Sequence, residues 1–219
     1  MIAAVDPKPG SRILDFACGA GVTSAWLART GAHVTGVDLS HVSIARAEEL
    51  RDAVGLQYEL KVVGSQAGDI ETGEQFDGLI GRFALHHVDL ATYGPALASL
   101  LKPGGTAAFF ETMATNPFLN VIRKNVAGRF GIHRFGSEDE HPLDRKDLTR
   151  LRADFGALDV RTPLVVFFSL IDRHVLRGRS PKMTRFLFRV DGSITRRPRL
   201  RFLSYNQVLV LQRSGSSVS

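Results

Sequence analysis

Residues 13–21 read Ile-Leu-Asp-Phe-Ala-Cys-Gly-Ala-Gly. An apolar run carrying one carboxylate, Asp15, passes through small residues into a helical stretch, Val22–Arg29. This is the pattern of a β-strand turning tightly into an α-helix. Glycines there let backbone amides approach a ligand, and the helix N-terminus adds partial positive charge. Outward from this turn, β-rich runs predict strands over Arg12–Phe16, His33–Asp38, Tyr58–Val63, Asp77–Gly81 and Thr106–Glu111. Helices are predicted between them over Val22–Arg29, Val42–Val54 with Ser40 as N-cap, and Leu90–Leu101, the last stopped by Lys102-Pro103-Gly104-Gly105. Such alternation predicts an α/β fold with a doubly wound parallel sheet, whose ligands bind beyond the carboxyl ends of the strands.

Asp15 bears on the ligand. A carboxylate just before the glycines repels a pyrophosphate and attracts a cationic or ammonium-bearing group. A second acid, Asp38, ends the next predicted strand seventeen residues after Gly21, where it can accept hydrogen bonds from both hydroxyls of a ribose. A ribose and a positive group together describe S-adenosylmethionine. Four segments in this order and spacing, LDFACGAG, VTGVDLS, FDGLIGRFALHHVD and LLKPGGTAAFFE, resemble the class I S-adenosylmethionine-dependent methyltransferases over about residues 10–112.

The resemblance implies a Rossmann-like sheet of seven strands, the last antiparallel, with a substrate cap inserted after the fifth strand. It implies that Asp15, Ala17, Gly19 and Gly21 line the methionine and sulfonium end, that Asp38 holds the ribose, and that Leu39 covers the adenine. Arg82 and Phe83 would face the sulfonium side. The adenine-contacting pair falls on Asp69-Ile70 by residue type and on Ser65-Gln66 by counting back from Phe76, and both placements stay open. Ala17 stands where the family pattern has its first glycine, a change expected to be mild. Asp15 lies only fourteen residues after Met1. The helices that fold over the cofactor in this family are therefore expected to be largely absent from this sequence: either the start of the natural protein is missing, or the site is looser or closed by a second subunit of a homodimer.

Beyond residue 112 the pattern loosens. Residues 113–143 hold three Phe and the acidic run Glu138-Asp139-Glu140 without a clean period, and read as an insertion over the sheet edge. A helix is predicted over Asp144–Phe155, a strand over Leu158–Phe168, a short helix and turn over Met183–Arg201, and a closing strand over Phe202–Gln212. The expected organisation is a cofactor-binding core over 1–112, cap insertions plus the last two strands over 113–212, and a loose tail over 213–219. Nine of the fourteen Phe lie from Phe118 to Phe202, enough to line a pocket for a small, rather apolar molecule. Asn116-Pro117-Phe118 looks like a motif that grips planar amines in nucleobase methyltransferases. It follows the fifth predicted strand and not the fourth, so a nucleic-acid partner is not expected.

Composition bounds the remainder. With 219 residues, 44% hydrophobic and 23% charged, the chain reads as one ordinary globular domain with an appended cap. No apolar run reaches the roughly 20 residues of a membrane span, and the stretch before Pro7 is too short for a signal peptide, so a cytoplasmic address is expected. One cysteine, Cys18, agrees with a reducing compartment. The net charge of +6 is uneven: ten Lys or Arg against two Asp between Ser169 and Arg201 make a basic stripe. It suits phosphate, an anionic lipid surface or an acidic carrier, or it is simply a solvated face.

Methyl transfer needs a base only when the acceptor arrives protonated. His86-His87 follow the fourth predicted strand, where His87 is a candidate base, and His141 with Glu140 could form a carboxylate–imidazole pair over the mouth. The alternative for His141 is a cap for the helix near Asp144. Glu111 ends the fifth strand and points toward the same edge. No spacing such as HxxxH or HExxH suggests a metal, so none is expected. A non-catalytic or regulatory S-adenosylmethionine-binding protein of the same fold is the rival reading, and a nucleic-acid methyltransferase, suggested by the basic stripe, is a third.

Overall fold

The computed structural model describes residues 1–64, 67–70, 73, 75–125, 141–164, 166–172, 176 and 178–215. In chain order the elements are α1 (Ile2–Val5), β1 (Arg12–Phe16), α2 (Val22–Ala28), β2 (His33–Asp38), α3 (His41–Val54), β3 (Glu59–Val62), β4 (Phe76–Arg82), α4 (Leu90–Leu100) and β5 (Leu101–Thr112). Then follow α5 (Pro117–Asn125), α6 (Arg145–Phe155), β6 (Gly156–Arg161), α7 (Phe168–Ile171), α8 (Pro181–Thr195) and β7 (Asn206–Arg213). The sheet has seven strands in the order β3-β2-β1-β4-β5-β7-β6. β1 to β5 pair in parallel, and β7 runs antiparallel to both β5 and β6. The strand order reverses between β1 and β4, which opens a crevice at their carboxyl ends.

Two apolar clusters hold helices to the two faces. On one face Ile13, Val34 and Ile80 pack with Ala25 and Leu27 of α2 and with Met1, Ile2 and Val5 around α1. On the other, Leu14, Leu79 and Phe109 pack with Tyr93 and Leu97 of α4 and Leu151 and Phe155 of α6. Burial of such a side chain contributes about 1.5–3 kcal/mol, so strands that are apolar on both faces fix the three-layer order.

The predicted strands and helices of the first half reappear with ends shifted by a residue or two. Three places differ for identifiable reasons. β5 begins at Leu101, so Lys102-Pro103-Gly104-Gly105 is carried inside the strand as an irregularity: Phe76 pairs with Leu101 and Gly78 with Thr106. Gly104 takes φ 79 and Lys102 Nζ lies 2.6 Å from Asp77 Oδ1. The strand predicted over Leu158–Phe168 stops at Arg161. Pro163 follows, and buried Asp191 of α8 accepts the amides of Phe167, Phe168 and Ser169 at 3.3, 2.9 and 2.9 Å, turning the apolar run into α7. The closing strand begins at Asn206 because Pro198–Leu203 forms a 3₁₀ turn.

Asp144 is the N-cap of α6. Its carboxylate accepts the amides of Lys146 and Asp147 at 2.6 and 3.1 Å, and Asp147 Oδ2 accepts the Asp144 amide at 2.9 Å, a reciprocal capping box. Asp144→Ala is expected to lower stability by about 1 kcal/mol, read as a lower urea midpoint at unchanged slope. An unchanged midpoint would show that the box contributes nothing to α6.

Candidate functional site

Register sets the level of the site. Phe16 pairs with Val37 and with Gly81, so Ala17, Asp38 and Arg82 stand side by side at the carboxyl edge of β1, β2 and β4. The turn after β1 is bound to β2 twice: the Cys18 amide donates to Val37 O at 3.0 Å, and the Gly19 amide donates to Asp38 Oδ2 at 2.9 Å. Asp38 Oδ1 accepts the Ser40 amide at 2.9 Å, while Ser40 Oγ caps α3 through Ser43. One carboxylate thus ties the glycine turn to the start of α3.

The turn needs left-handed backbone. Gly21 sits at φ 74, and a Cβ added there would lie 2.8 Å from Ala47 Cβ, so only glycine lets α2 start this close to α3. Ala17 also takes φ 54, where a methyl group costs roughly 1–2 kcal/mol. The change expected to be mild therefore carries strain. Phe83, one residue past β4, takes φ 55 in the same way, so two strained residues flank the crevice.

Asp15 is 2% exposed, and Ser24 Oγ of α2 donates to its Oδ2 at 2.6 Å. Burial pushes its carboxyl up from the ordinary 3.8 to about 7, while hydrogen bonds from Ser24 and attraction by Arg82 pull the other way and Asp38 adds repulsion. Burial, aided by Asp15 and Asp38, likewise pushes the Cys18 thiol up, which makes it a poor nucleophile. Leu39, next to Asp38, is 55% exposed.

The loop after β4 is held by Glu111, which the sequence placed at this edge without a partner. Glu111 is fully buried; its Oε1 accepts the amides of Ala84 and Leu85 at 2.8 and 2.9 Å, and its Oε2 lies 2.7 Å from His86 Nδ1. His86 is buried in turn, with His87 exposed and stacked on it at 4.1 Å between ring centroids. The Phe83 ring packs on Phe110 at 5.1 Å, and exposed Arg82 lies over it at 5.8 Å.

Asp69 and Ile70 follow β3 and diverge: Asp69 is exposed with its carboxylate against Gly64, and Ile70 is buried in the core. Ser65 and Gln66 lie outside the described residues, as does Glu140. The backbone of His141 donates to His86 O at 3.0 Å, which brings the returning chain to this edge. Its exposed ring lies 3.9 Å from Asp147 Oδ2 and lines a cavity of about 340 Å³ between the starts of α4 and α6. His141, Asp144 and Asp147 bring possible metal-ligating atoms within 4.8 Å of one another. The capping box already engages an oxygen of each Asp with backbone amides, so helix initiation accounts for this cluster. Asn116 serves a comparable purpose: its Oδ1 accepts the amides of Phe118 and Leu119, with Pro117 at the first helical position of α5.

Comparison with known proteins gives this geometry its relatives. Residues 13–105 match the family described as "Methyltransferase domain". The ubiquinone biosynthesis O-methyltransferase of Aeromonas salmonicida is 40% identical over 111 residues, 49% of this chain and 45% of that protein. The chain spans about half the length of the curated relatives it matches. Among solved structures, the YcgJ protein of Bacillus subtilis superposes with TM-score 0.64 at 16% identity, covering 98% of this chain and 97% of that one. Magnesium protoporphyrin IX methyltransferase from Synechocystis, solved with bound S-adenosylhomocysteine, gives TM-score 0.62 at 19% identity over 97% of this chain and 78% of its own.

The raised Asp15 pKa has a consequence for stability. Because the folded value lies above the unfolded one, the group's stabilisation is complete below about pH 4 and is lost as pH rises through about 7. Asp15→Asn, which stays neutral, is expected to gain stability relative to the parent between about pH 5 and 8, measured as paired urea midpoints. A constant difference across that window would mean that Asp15 is ionised throughout.

Proposed function

We propose that the chain, whose residues 13–105 match a methyltransferase domain family, is a class I S-adenosylmethionine-dependent methyltransferase that transfers the methyl group of S-adenosylmethionine to a small, rather apolar acceptor. The observation that carries the reading is the convergence of a strained small-residue turn, buried Asp15 and strand-end Asp38 on one level of the crevice between β1 and β4. The donor set fits the ligand: a carboxyl held near neutrality by burial is one that an arriving cation ionises and pairs with.

In this reading Asp15 neutralises the positive end of the ligand through the turn formed by Ala17, Gly19 and Gly21. Asp38, whose oxygens each already accept one amide, turns its remaining lone pairs to the ribose hydroxyls. Leu39 lies over the adenine, and Asp69-Ile70 or Ser65-Gln66 contact its edge. Arg82 and Phe83 border the sulfonium side, where the Phe110 and Phe83 rings exclude water. S-adenosylmethionine supplies an electrophilic methyl, so the chain's task is to align an acceptor and to remove its proton where it has one.

An oxygen acceptor is supported by the naming of the half-matching relatives as O-methyltransferases. For a hydroxyl, His87 is the proposed base, since its ring is exposed while His86 beneath it is engaged by Glu111. His141 with Glu140 is the second choice. Buried Glu111 positions the loop and does not reach the substrate. The cap around α5 and α8 forms the acceptor side of the site, and closure by a second subunit belongs to the proposal.

Asp38→Ala leaves ribose hydroxyls without their acceptor, and a loss of ~1–3 kcal/mol, roughly tenfold or more in affinity, is expected by calorimetry with S-adenosylhomocysteine. Release of S-adenosylhomocysteine from S-adenosylmethionine in the presence of a phenol-containing acceptor pool distinguishes the enzyme from a non-catalytic binder. No heat with either ligand at millimolar concentration would end the cofactor assignment.

A further inference from the structure

On an ordinary surface helix, apolar residues at i, i+3 and i+4 face the core. On α5 they face outward: Phe118, Val121 and Ile122 are 60, 60 and 44% exposed, while Leu119 provides the buried contact. α8 repeats the inversion. Leu187 and Asp191 are buried one turn apart, and Met183, Phe186 and Phe188 are 43, 58 and 49% exposed. Lys182, Arg185 and Arg189 interleave with these apolar side chains and are exposed too, as are Arg196, Arg197 and Arg199 in the turn after α8.

Between Arg179 and Leu203 the one acid is Asp191, which is buried and occupied in capping α7. Among the described residues none of these six cations forms an ion pair. The two helices also belong to one edge. Asn116 Nδ2 donates to Leu203 O at 2.7 Å and Thr115 Oγ1 to Phe202 O at 3.2 Å, which stitches the start of α5 to the turn that follows α8. β7 then starts opposite Thr112 of β5, at the same carboxyl edge as Asp38 and Arg82.

We propose that the outward faces of α5 and α8, with the arginine turn beside them, dock this chain on an anionic lipid bilayer. Each candidate occupant must satisfy two demands at once, cover for Phe, Val, Ile and Met and counter-charge for the cations between them. Duplex DNA or an acidic polypeptide supplies charge and leaves the apolar side chains wet. A second copy of the chain covers the apolar side chains and sets like charges against each other. The boundary of an anionic bilayer supplies both, since acyl chains accept the apolar side chains while headgroup phosphates lie at the level of Lys and Arg tips. This is peripheral attachment: among the described residues no helix is long and apolar enough to cross a membrane. Docking stands on these faces alone. Its consequence for activity, that an apolar acceptor reaches the crevice from the lipid side, rests on the methyl-transfer reading.

The test is co-sedimentation of the full chain with phosphatidylcholine vesicles, with and without about one-third phosphatidylglycerol, at low and high salt. Binding is expected only with the anionic lipid and is expected to fall with salt. K182E/R185E/R189E is expected to weaken it roughly a hundredfold or more, since each basic residue near the surface contributes about fivefold. F118S/V121S/I122S is expected to weaken it as well, with the heat of S-adenosylhomocysteine binding retained as the sign of an intact fold, and F186S/F188S serves if the first variant does not fold. The proposal is overturned by equal or absent binding to the two vesicle types. It is also overturned by a concentration-dependent dimer that the serine variants dissociate, or by binding to poly-glutamate or DNA as tight as to vesicles. Ligand heat without vesicle binding removes the docking and leaves the methyltransferase reading; vesicle binding without ligand heat does the reverse.

Discussion

A buried carboxylate at the end of a central strand is costly unless something compensates it, and Asp15 is the residue about which this fold is arranged. Ser24 satisfies one oxygen from the first turn of α2, which fixes how α2 leaves the turn after β1. That exit requires Gly21 against Ala47 of α3 and a left-handed Ala17, so strain, burial and close packing gather within a few residues. In the proposed reading a cation turns these features into binding energy, because the carboxyl ionises against a charge brought to it in a site of low dielectric.

The rest of the edge is held by carboxylates that accept backbone amides. Asp38 binds the glycine turn to α3, Glu111 binds the loop after β4, Asp144 and Asp147 start α6, and Asp191 starts α7. Asp38, Glu111 and Asp191 join segments distant in sequence, while the Asp144–Asp147 box is local to its helix. The aligned ends of β1, β2 and β4 therefore carry ordered loops, and α5 is attached through Asn116 to the turn at Pro198–Leu203 that follows α8.

Legibility in the sequence followed the range of the interactions. β1 and β2 could be read to the residue because a continuous apolar run and the small-residue turn are local signals. Asp15 and Asp38 were legible for the same reason, as acids at strand ends beside glycines. The role of Glu111 was not, since its partners lie 25 to 27 residues away and no local pattern announces a carboxylate turned back toward the previous loop. The strand predicted through Phe168 failed on Asp191, an acid 22 to 24 residues downstream that converts β-prone residues into a helix start. α5 was not legible as a helix, because residues 113–143 hold no clean period; its start depends on Asn116, whose side chain meets Leu203 near the end of the chain.

In the proposed function a cationic ligand ionises Asp15. Calorimetry of S-adenosylmethionine binding near pH 6.5, in buffers that differ in ionisation enthalpy, counts the protons exchanged. With the Asp15 carboxyl raised to about 7, the account predicts release of a substantial fraction of a proton on binding, absent in Asp15→Asn. Equal heats in all buffers for the parent protein would contradict it.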